Sequence, residues 1–177
     1  MTDIILRKME ERDIPNIYKY IHLDYVRKYF PNKQIEQWEA HRRWYLFVIN
    51  SPSYLFYTIE SLGREFLGTV RFEIIGKSKV AISIYLVSKI RGKRYSESVI
   101  FYSIEELKFE RPQLKKVCAY ILEENEISKK IFMKNAFVYK GIKEYMGAEH
   151  LLYERKIIQE VKNEEKRKSK KYFRDIE

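Results

Sequence analysis

Residues 82–96, Ile-Ser-Ile-Tyr-Leu-Val-Ser-Lys-Ile-Arg-Gly-Lys-Arg-Tyr-Ser, decide the fold of this 177-residue chain. The stretch begins as an apolar strand, continues as a basic loop and ends where we expect a helix to start. Backbone N–H groups in the first turn of a helix have no partner within the helix and lie at the positive end of its dipole, so they bind anions. The loop contributes four cations: Lys89, Arg91, Lys93 and Arg94. This combination suits a diphosphate, and a solvent-exposed basic loop without a ligand is the alternative interpretation.

Outward from this stretch, apolar spacing and turn residues predict an alternation of strands and helices. A first strand and three helices precede a meander of three antiparallel strands. A helix over 95–110 follows the meander. After it come a short strand, another helix over 125–135 and a hairpin that turns near Gly147. The order β-α-α-α-β-β-β-α-β-α-β-β predicts one mixed α/β (α+β) domain over residues 1–158, in which helices flank a mostly antiparallel central sheet of about seven strands. Residues 159–177 are charged and contain few apolar side chains, so we expect a solvated helix or a loose tail there.

The composition favours a cytoplasmic protein with an anionic partner. The hydrophobic fraction of 45% excludes wholesale disorder, and no apolar run is long enough to span a bilayer. We see no secretory signal in Met1–Glu11, and the single Cys118 with three scattered histidines predicts neither a disulfide nor a metal site. Thirty-five basic residues against 25 acidic residues give a formal net charge of +10, which favours nucleic acid, a phosphorylated cofactor or a membrane surface as partner. The chain has neither a Walker loop nor the glycine pattern of dinucleotide-binding folds.

Two motifs resemble those of the GNAT superfamily of N-acetyltransferases. In the loop, Arg91 matches the first position of the acetyl-CoA-binding motif [RQ]-x-x-G-x-[GA], whereas Arg94 stands where the family prefers glycine and Ser96 stands at the last small-residue position. Downstream, residues 125–137 are similar to the family signature N-x-x-[SA]-x-x-x-[YF]-x-x-x-[GA]-F, although its Asn and Ser alone also fit an ordinary helix N-cap. The resemblance, over about residues 3–157, implies acetyl-CoA as co-substrate and these cofactor contacts: Leu86, Val87, Arg91, Gly92, Lys93, Arg94, Tyr95, Ser96, Asn125, Ser128 and Phe132.

The resemblance also implies direct attack of an amine on the acetyl thioester, through a tetrahedral intermediate. A backbone N–H of the fourth strand, near residues 85–87, is expected to face the developing oxyanion. Many relatives carry a tyrosine at the position of Phe132 to protonate the leaving thiolate, so here Tyr85 or Tyr120 replaces it or the thiolate leaves unassisted. Two carboxylates near predicted strand ends are candidate bases, each of them otherwise an ordinary surface group: Glu73 and Glu123.

A narrower resemblance concerns the acceptor. His41 and Trp44 form an H-x-x-W pattern on a predicted helix, and residues 68–72 read Gly-Thr-Val-Arg-Phe on a predicted strand. Acetyltransferases that act on nucleotide-linked amino sugars for surface polysaccharides often carry both patterns, which implies substrate roles for His41, Trp44 and Arg71. Core packing with one exposed imidazole is the alternative for His41 and Trp44. An arginine inside a sheet either extends its charged end to solvent or faces a charged ligand.

The sequence therefore predicts an acetyl-CoA-dependent N-acetyltransferase for the primary amine of a small acceptor, preferably an amino sugar, that works as a monomer or homodimer without a membrane partner. A protein N-terminus or a lysine is the alternative acceptor. A non-catalytic or nucleic-acid-binding basic module is the alternative of another class. Nucleic acid is the less favoured partner, because the densest basic runs are the cofactor loop and the tail rather than one face with interleaved aromatic residues.

Overall fold

One mixed sheet of eight strands organises the computed structural model, which describes residues 4–29, 36–92, 95–158 and 172–173. The strands are β1 (Ile4–Lys8), β2 (Tyr54–Ser61), β3 (Phe66–Ile74), β4 (Lys79–Leu86), β5 (Lys116–Ile121), β6 (Val138–Tyr145), β7 (Ala148–Lys156) and β8 (Tyr172–Phe173). The α-helices are α1 (Ile14–Ile21), α2 (Asp24–Arg27), α3 (Trp38–Asn50), α4 (Tyr95–Glu110) and α5 (Glu126–Lys134). Within the described ranges no helix is long and apolar enough to cross a membrane.

The strands lie in the order β6-β7-β5-β4-β3-β2-β1-β8, and every neighbouring pair is antiparallel except β4 and β5. The predicted order of elements and the mostly antiparallel sheet of seven strands are confirmed. Strand β8 is an addition, because Tyr172–Phe173 pairs with β1 at the edge of the sheet. This part of the expected tail contributes backbone pairing, whereas residues 159–171 and 174–177 lie outside the described residues.

Helices α3 and α4 lie on opposite faces of the sheet. Phe56 of β2 packs against Tyr45 of α3, with ring centroids 5.6 Å apart. The next residue, Tyr57, points to the other face, where its hydroxyl donates to Glu110 of α4 at 3.1 Å. Helix α1 packs beside α3, since Tyr18 contacts the Trp38 ring at 5.3 Å. We call the two sides of the sheet the α3 face and the α4 face.

A buried ion pair fixes the start of α1 to the sheet. Arg7 of β1 donates two hydrogen bonds to the Asp13 carboxylate, at 2.8 and 2.7 Å, and a third to Glu60 of β2 at 2.8 Å. Burial alone would raise the pKa of Asp13, but hydrogen bonds from Arg7, from the Glu10 backbone and from Thr58 hold that pKa below its usual range. The cluster therefore stabilises the ionised carboxylate and the segment that leads into α1.

Gly68 sets the close approach of β3 and β4. Its φ of +152° lies outside the conformations that L side chains favour, and a Cβ there would come 2.2 Å from the Tyr85 carbonyl oxygen. It also lies beside the register shift between Ile59 and Glu60 on β2. This glycine, the first of the Gly-Thr-Val-Arg-Phe pattern, is thus required by the sheet itself.

Candidate active site

A cleft opens where β4 and β5 separate. The two strands pair only through their first three residues, Lys79, Val80 and Ala81, against residues 116–118. Beyond that point they diverge and enclose a cavity of about 610 Å³. Its walls come from β4 and the end of β5, from the loop after β4, and from the first turns of α4 and α5. The unpaired edge of β4 therefore faces the cleft with unused backbone groups.

The register of β3 and β4 determines which backbone groups those are. The Val87 N–H donates to the Leu67 carbonyl of β3 at 2.9 Å. Because bonded and non-bonded pairs alternate in an antiparallel ladder, Tyr85 also directs its N–H to β3, whereas Leu86 directs its N–H and C=O toward the cleft. A hydrogen bond from Arg91 Nε to the Leu86 carbonyl, at 3.0 Å, agrees with this assignment. Of residues 85–87, which were expected to supply an oxyanion donor, only Leu86 has an N–H that faces the cleft.

The basic loop forms one end of the cleft. Arg91 lines the cavity, and its guanidinium carbon lies 4.4 Å from the centre of the Tyr25 ring. Gly92, with φ of +73°, adopts the left-handed conformation that favours glycine and lets the chain turn into α4. Lys93 and Arg94, also expected to contact the cofactor, lie outside the described residues. The described part of the loop therefore places Arg91 in the wall of the cleft, shortly before α4 begins at Tyr95.

Most of the other expected cofactor residues do line the cleft: Leu86, Gly92, Ser96, Asn125, Ser128 and Phe132. Two do not. The side chains of Val87 and Tyr95 are buried in the hydrophobic core, each only 4% exposed. Both side chains pack in the core and neither lines the cavity, so neither is available to a ligand in the cleft.

Asn125 has a structural role at the start of α5. Its side-chain oxygen accepts a hydrogen bond from the Ser128 N–H at 3.2 Å, which makes it the N-cap of the helix. Because this bond uses only the amide oxygen, the amide N–H₂ remains for other partners. The N-cap interpretation is correct, and it coexists with the position of both residues in the wall of the cleft.

The phenols near the cleft differ in their surroundings. The Tyr85 hydroxyl is buried and makes no hydrogen bond of good geometry to a described residue. Burial, and then the neighbouring Tyr25, raises the pKa of Tyr85, which keeps the phenol protonated and makes it a weaker acid. Tyr120 lines the cleft as well and is only partly buried, and burial raises its pKa too. Phe132 borders the same cavity and packs its ring on Phe137 at 4.9 Å.

The candidate bases do not line the cleft. Glu73 lies on the α3 face, where its Oε2 accepts a hydrogen bond from the Tyr145 hydroxyl at 3.1 Å. Burial and the adjacent Glu73 raise the pKa of Tyr145 to about 12. Glu123 is exposed in the turn that follows β5. Among the described residues, the carboxylate that lines the cleft is that of Glu97. It forms a salt bridge with Lys134, with Oε1 and Nζ 2.8 Å apart.

The expected acceptor residues occupy two environments. His41 is completely buried between α1 and α3, with Nδ1 3.2 Å from Glu36 and its ring 4.3 Å from Tyr45. Burial lowers the pKa of His41, and the imidazole packs inside the protein and does not line the cleft, where the substrate role implied for it would place it. Arg71, in contrast, lies half-buried on the α3 face with its guanidinium carbon 5.2 Å from the Trp44 ring.

Sequence reasoning missed His150. It lies on β7, is 5% exposed and lines the cleft. The alternation of side chains along β7 predicts which residues share a face with His150, but it does not predict which strand lies beside β7. His150 comes close to Tyr120 only because β7 pairs with β5, and no local sequence pattern predicts that pairing. Within the described residues, no group of three or more His, Cys, Asp or Glu side chains is arranged to hold a metal ion.

Solved structures share this fold. A spermidine N-acetyltransferase from Vibrio cholerae, in complex with CoA and spermine, is 17% identical over 86% of this chain and 95% of its own, with a TM-score of 0.76. A domain from Methanocaldococcus jannaschii is 21% identical over 89% of this chain and all of its own, with a TM-score of 0.76. An aminoglycoside acetyltransferase in complex with coenzyme A and kanamycin is 16% identical over 86% of this chain and 94% of its own, with a TM-score of 0.74.

Sequence comparison gives the family. No curated protein sequence matches the chain significantly. Residues 3–138, which include the cleft loop and all of α5, match the family described as an acetyltransferase (GNAT) domain. The chain belongs to the GNAT family, which makes it an N-acetyltransferase that uses acetyl-CoA as its co-substrate.

Proposed function

We propose that this enzyme acetylates the primary amine of a nucleotide-linked amino sugar. The observation that carries the proposal is Arg71, a half-buried arginine that stacks on Trp44 and forms no salt bridge with any carboxylate of the described residues. A guanidinium stays charged in any surroundings and matches the geometry of a phosphate with two parallel hydrogen bonds. A half-buried cation without an anionic partner is suited to an anionic part of the substrate.

The position of Arg71 supports an acceptor role. It lies directly opposite Ser83 in the β3–β4 register, and Ser83 lines the cleft. Ser83 is exposed although it lies in the middle of a central strand, so the α3 face is open at this point. An acceptor bound over Ser83 would therefore place its amine toward the cleft and its anionic group toward Arg71.

The charges favour an anionic acceptor over a polycationic one. Among the structural neighbours, one is a spermidine acetyltransferase and another an aminoglycoside acetyltransferase. A polyamine carries several positive charges and requires carboxylates, but the lining carboxylate of the described cleft, Glu97, already pairs with Lys134. The whole chain has a formal net charge of +10, which also attracts a diphosphate-linked sugar.

Different residues of the cleft would bind acetyl-CoA and stabilise the oxyanion. Acetyl-CoA supplies the thioester that makes the acetyl carbon electrophilic. Arg91 and the first turn of α4 would hold its diphosphate, and the open edge of β4 would bond its pantetheine arm. The N–H groups that this edge presents, at alternate residues up to Leu86, are the donors available to the oxyanion. Because they are fixed by the sheet, they need no rearrangement when the charge develops.

The test is an acceptor panel with a matched pair of arginine variants. The panel contains a UDP-linked amino sugar, the same sugar without its nucleotide, spermidine, kanamycin and a peptide with a free N-terminus, and thiol release reports activity. We expect the highest kcat/KM with the UDP-linked sugar. Arg71→Gln should raise the KM for that acceptor about 10- to 100-fold, the range for a hydrogen-bonded charge, and leave the KM for acetyl-CoA unchanged.

Arg43→Gln is the control, since Arg43 is an exposed arginine of α3 next to Trp44. It should behave as wild type with every acceptor. Arg71→Gln should also leave the KM for the sugar without its nucleotide unchanged, because that acceptor has no diphosphate to lose. A higher kcat/KM with spermidine or kanamycin, or an equal effect of Arg71→Gln on both sugars, would show that the acceptor is not a nucleotide-linked sugar.

A further inference from the structure

The imidazole of His150 has a fixed tautomer. Its Nδ1 lies 2.9 Å from the carbonyl oxygen of Ala148. A carbonyl oxygen only accepts hydrogen bonds, so Nδ1 must carry the proton, and the neutral ring then has its lone pair on Nε2. Nε2 makes no hydrogen bond to a described residue, and the side chain lines the cleft. The ring is thus set up to accept a proton there.

Two tyrosines hold the ring in place. The rings of Tyr120 and Tyr145 stack 4.1 Å apart and nearly parallel, at 7°. His150 meets both edge-on, with centroids 6.5 Å from Tyr120 and 5.8 Å from Tyr145. Tyr145 is itself anchored through its hydrogen bond to Glu73. The titratable groups that face His150 are these two phenols, from β5 and β6, and Lys143, its cross-strand partner on β6.

We propose that His150 is the general base of the acetyl transfer. The acceptor enters as a neutral amine, its nitrogen forms a bond to the acetyl carbon, and His150 Nε2 takes a proton from that nitrogen. The carbon–sulfur bond breaks, and the sulfur leaves with the electron pair. The thiolate then gains one proton, which balances the one that His150 took, so the products are the amide and free CoA thiol and no further reactant is needed.

The geometry favours His150 over the two carboxylates. Glu73 and Glu123 do not line the cleft, and one oxygen of Glu73 is already occupied by Tyr145. The same hydrogen bond places Glu73 behind the aromatic pair that holds His150. This inference rests on the acetyltransferase activity and not on the identity of the acceptor, so the assay uses whichever amine of the acceptor panel wild type acetylates fastest.

The decisive variant is His150→Asn. An asparagine amide can still donate to the Ala148 carbonyl, so the local structure is kept while the Nε2 lone pair is lost. We expect kcat to fall about 10²- to 10⁴-fold, the usual range for general acid–base assistance, with the acetyl-CoA affinity by calorimetry and the melting temperature unchanged. The acidic limb of the kcat/KM profile against pH should move or disappear. In His150→Ala, added imidazole should restore activity in a saturable way.

His22→Asn is the matched control, because His22 Nδ1 also bonds a backbone carbonyl, that of Tyr18 at 2.7 Å, but His22 does not line the cleft. Its kcat should stay within twofold of wild type. The proposal is overturned if His150→Asn keeps more than about a third of the wild-type kcat. It is equally overturned if the loss of activity comes with a loss of acetyl-CoA binding or folding and imidazole restores nothing to His150→Ala, since that pattern indicates a structural role.

Discussion

Phe132 lies where a proton donor would stand in many relatives, and substitutions there test what borders the thiol end of the cleft. The ring is 4% exposed and meets Phe137 edge-on, at 4.9 Å and 76°. Truncation of a buried phenylalanine to alanine costs about 3–5 kcal/mol. Because one side of Phe132 borders the cleft, where water can enter, we expect Phe132→Ala to cost about 3 kcal/mol. For a chain of this size that corresponds to a fall in melting temperature of about 6–12 °C.

Phe132→Tyr tests whether a proton donor at this position increases kcat, with little change in the shape of the side chain. It adds one hydroxyl, and if the ring edge faces the cleft, water can solvate that hydroxyl. We expect the melting temperature to stay within about 3 °C of wild type and kcat to be unchanged or to rise by up to about 10²-fold, the lower end of general-acid assistance. Calorimetry measures the first quantity and thiol release under saturating acetyl-CoA measures the second.

Phe137→Tyr is the matched control. Phe137 is 3% exposed and does not line the cleft, so its new hydroxyl would be buried without a partner, at a cost of about 1–3 kcal/mol. If Phe132→Tyr destabilises the enzyme as much as Phe137→Tyr does, the ring does not border the cleft and the reasoning fails. If Tyr120→Phe or Tyr85→Phe lowers kcat by two orders of magnitude with acetyl-CoA affinity intact, that phenol has taken over the role of the acid.

Three further outcomes are expected. The double variant Arg91→Glu and Lys93→Glu should weaken acetyl-CoA binding in calorimetry at least tenfold without loss of folding. Lys89→Glu should not weaken it, because Lys89 pairs with a glutamate outside the cleft. Unchanged affinity in the double variant would refute the loop assignment. Asp13→Asn should cost about 2 kcal/mol in urea denaturation at neutral pH. Because folding lowers the pKa of Asp13, the contribution of its carboxylate to stability is complete above the unfolded pKa of about 3.9 and is lost as pH falls through the folded pKa. The stability of the variant should therefore decline less steeply in acid than that of wild type. An equally steep decline would contradict this. Truncation after Gln159 should change the melting temperature by less than about 3 °C, since β8 pairs with β1 through two residues only; a larger fall, or a change in molecular mass in solution, would show that the tail has a larger role.

The local parts of the fold could be predicted from the sequence. Helix α4 begins at Tyr95 and ends at Glu110, as its apolar spacing and Pro112 indicate, and the last hairpin turns at Gly147. Asn125 predicts the start of α5, because an N-cap side chain bonds a backbone N–H only three residues further along the chain. Each of these signals lies within one or two turns of the residues that it orders, so no tertiary information is needed to read it.

Side-chain partners between distant strands could not be predicted in the same way. His150 reaches Tyr120 only because β7 pairs with β5, across 30 residues of chain, and His41 is buried only because α1 packs over it. The amphipathic pattern of α3 did not distinguish a histidine that faces a neighbouring helix from one that faces a ligand. Both misjudgements concern packing between elements, which a single sequence does not encode in any short pattern.

The Gly-Thr-Val-Arg-Phe segment of β3 shows how one register serves both structure and chemistry. Gly68 allows β3 to approach the Tyr85 carbonyl, and that approach fixes the pairing of β3 with β4. The pairing in turn makes Val87 bond β3 and leaves Leu86 directed to the cleft, and it sets Arg71 opposite Ser83 on the α3 face. A slip of one residue would turn the cleft-facing N–H groups inward and move the arginine to the other face. The sheet therefore couples the backbone donors for acetyl-CoA to the cation that we assign to the acceptor, and neither can be repositioned without the other.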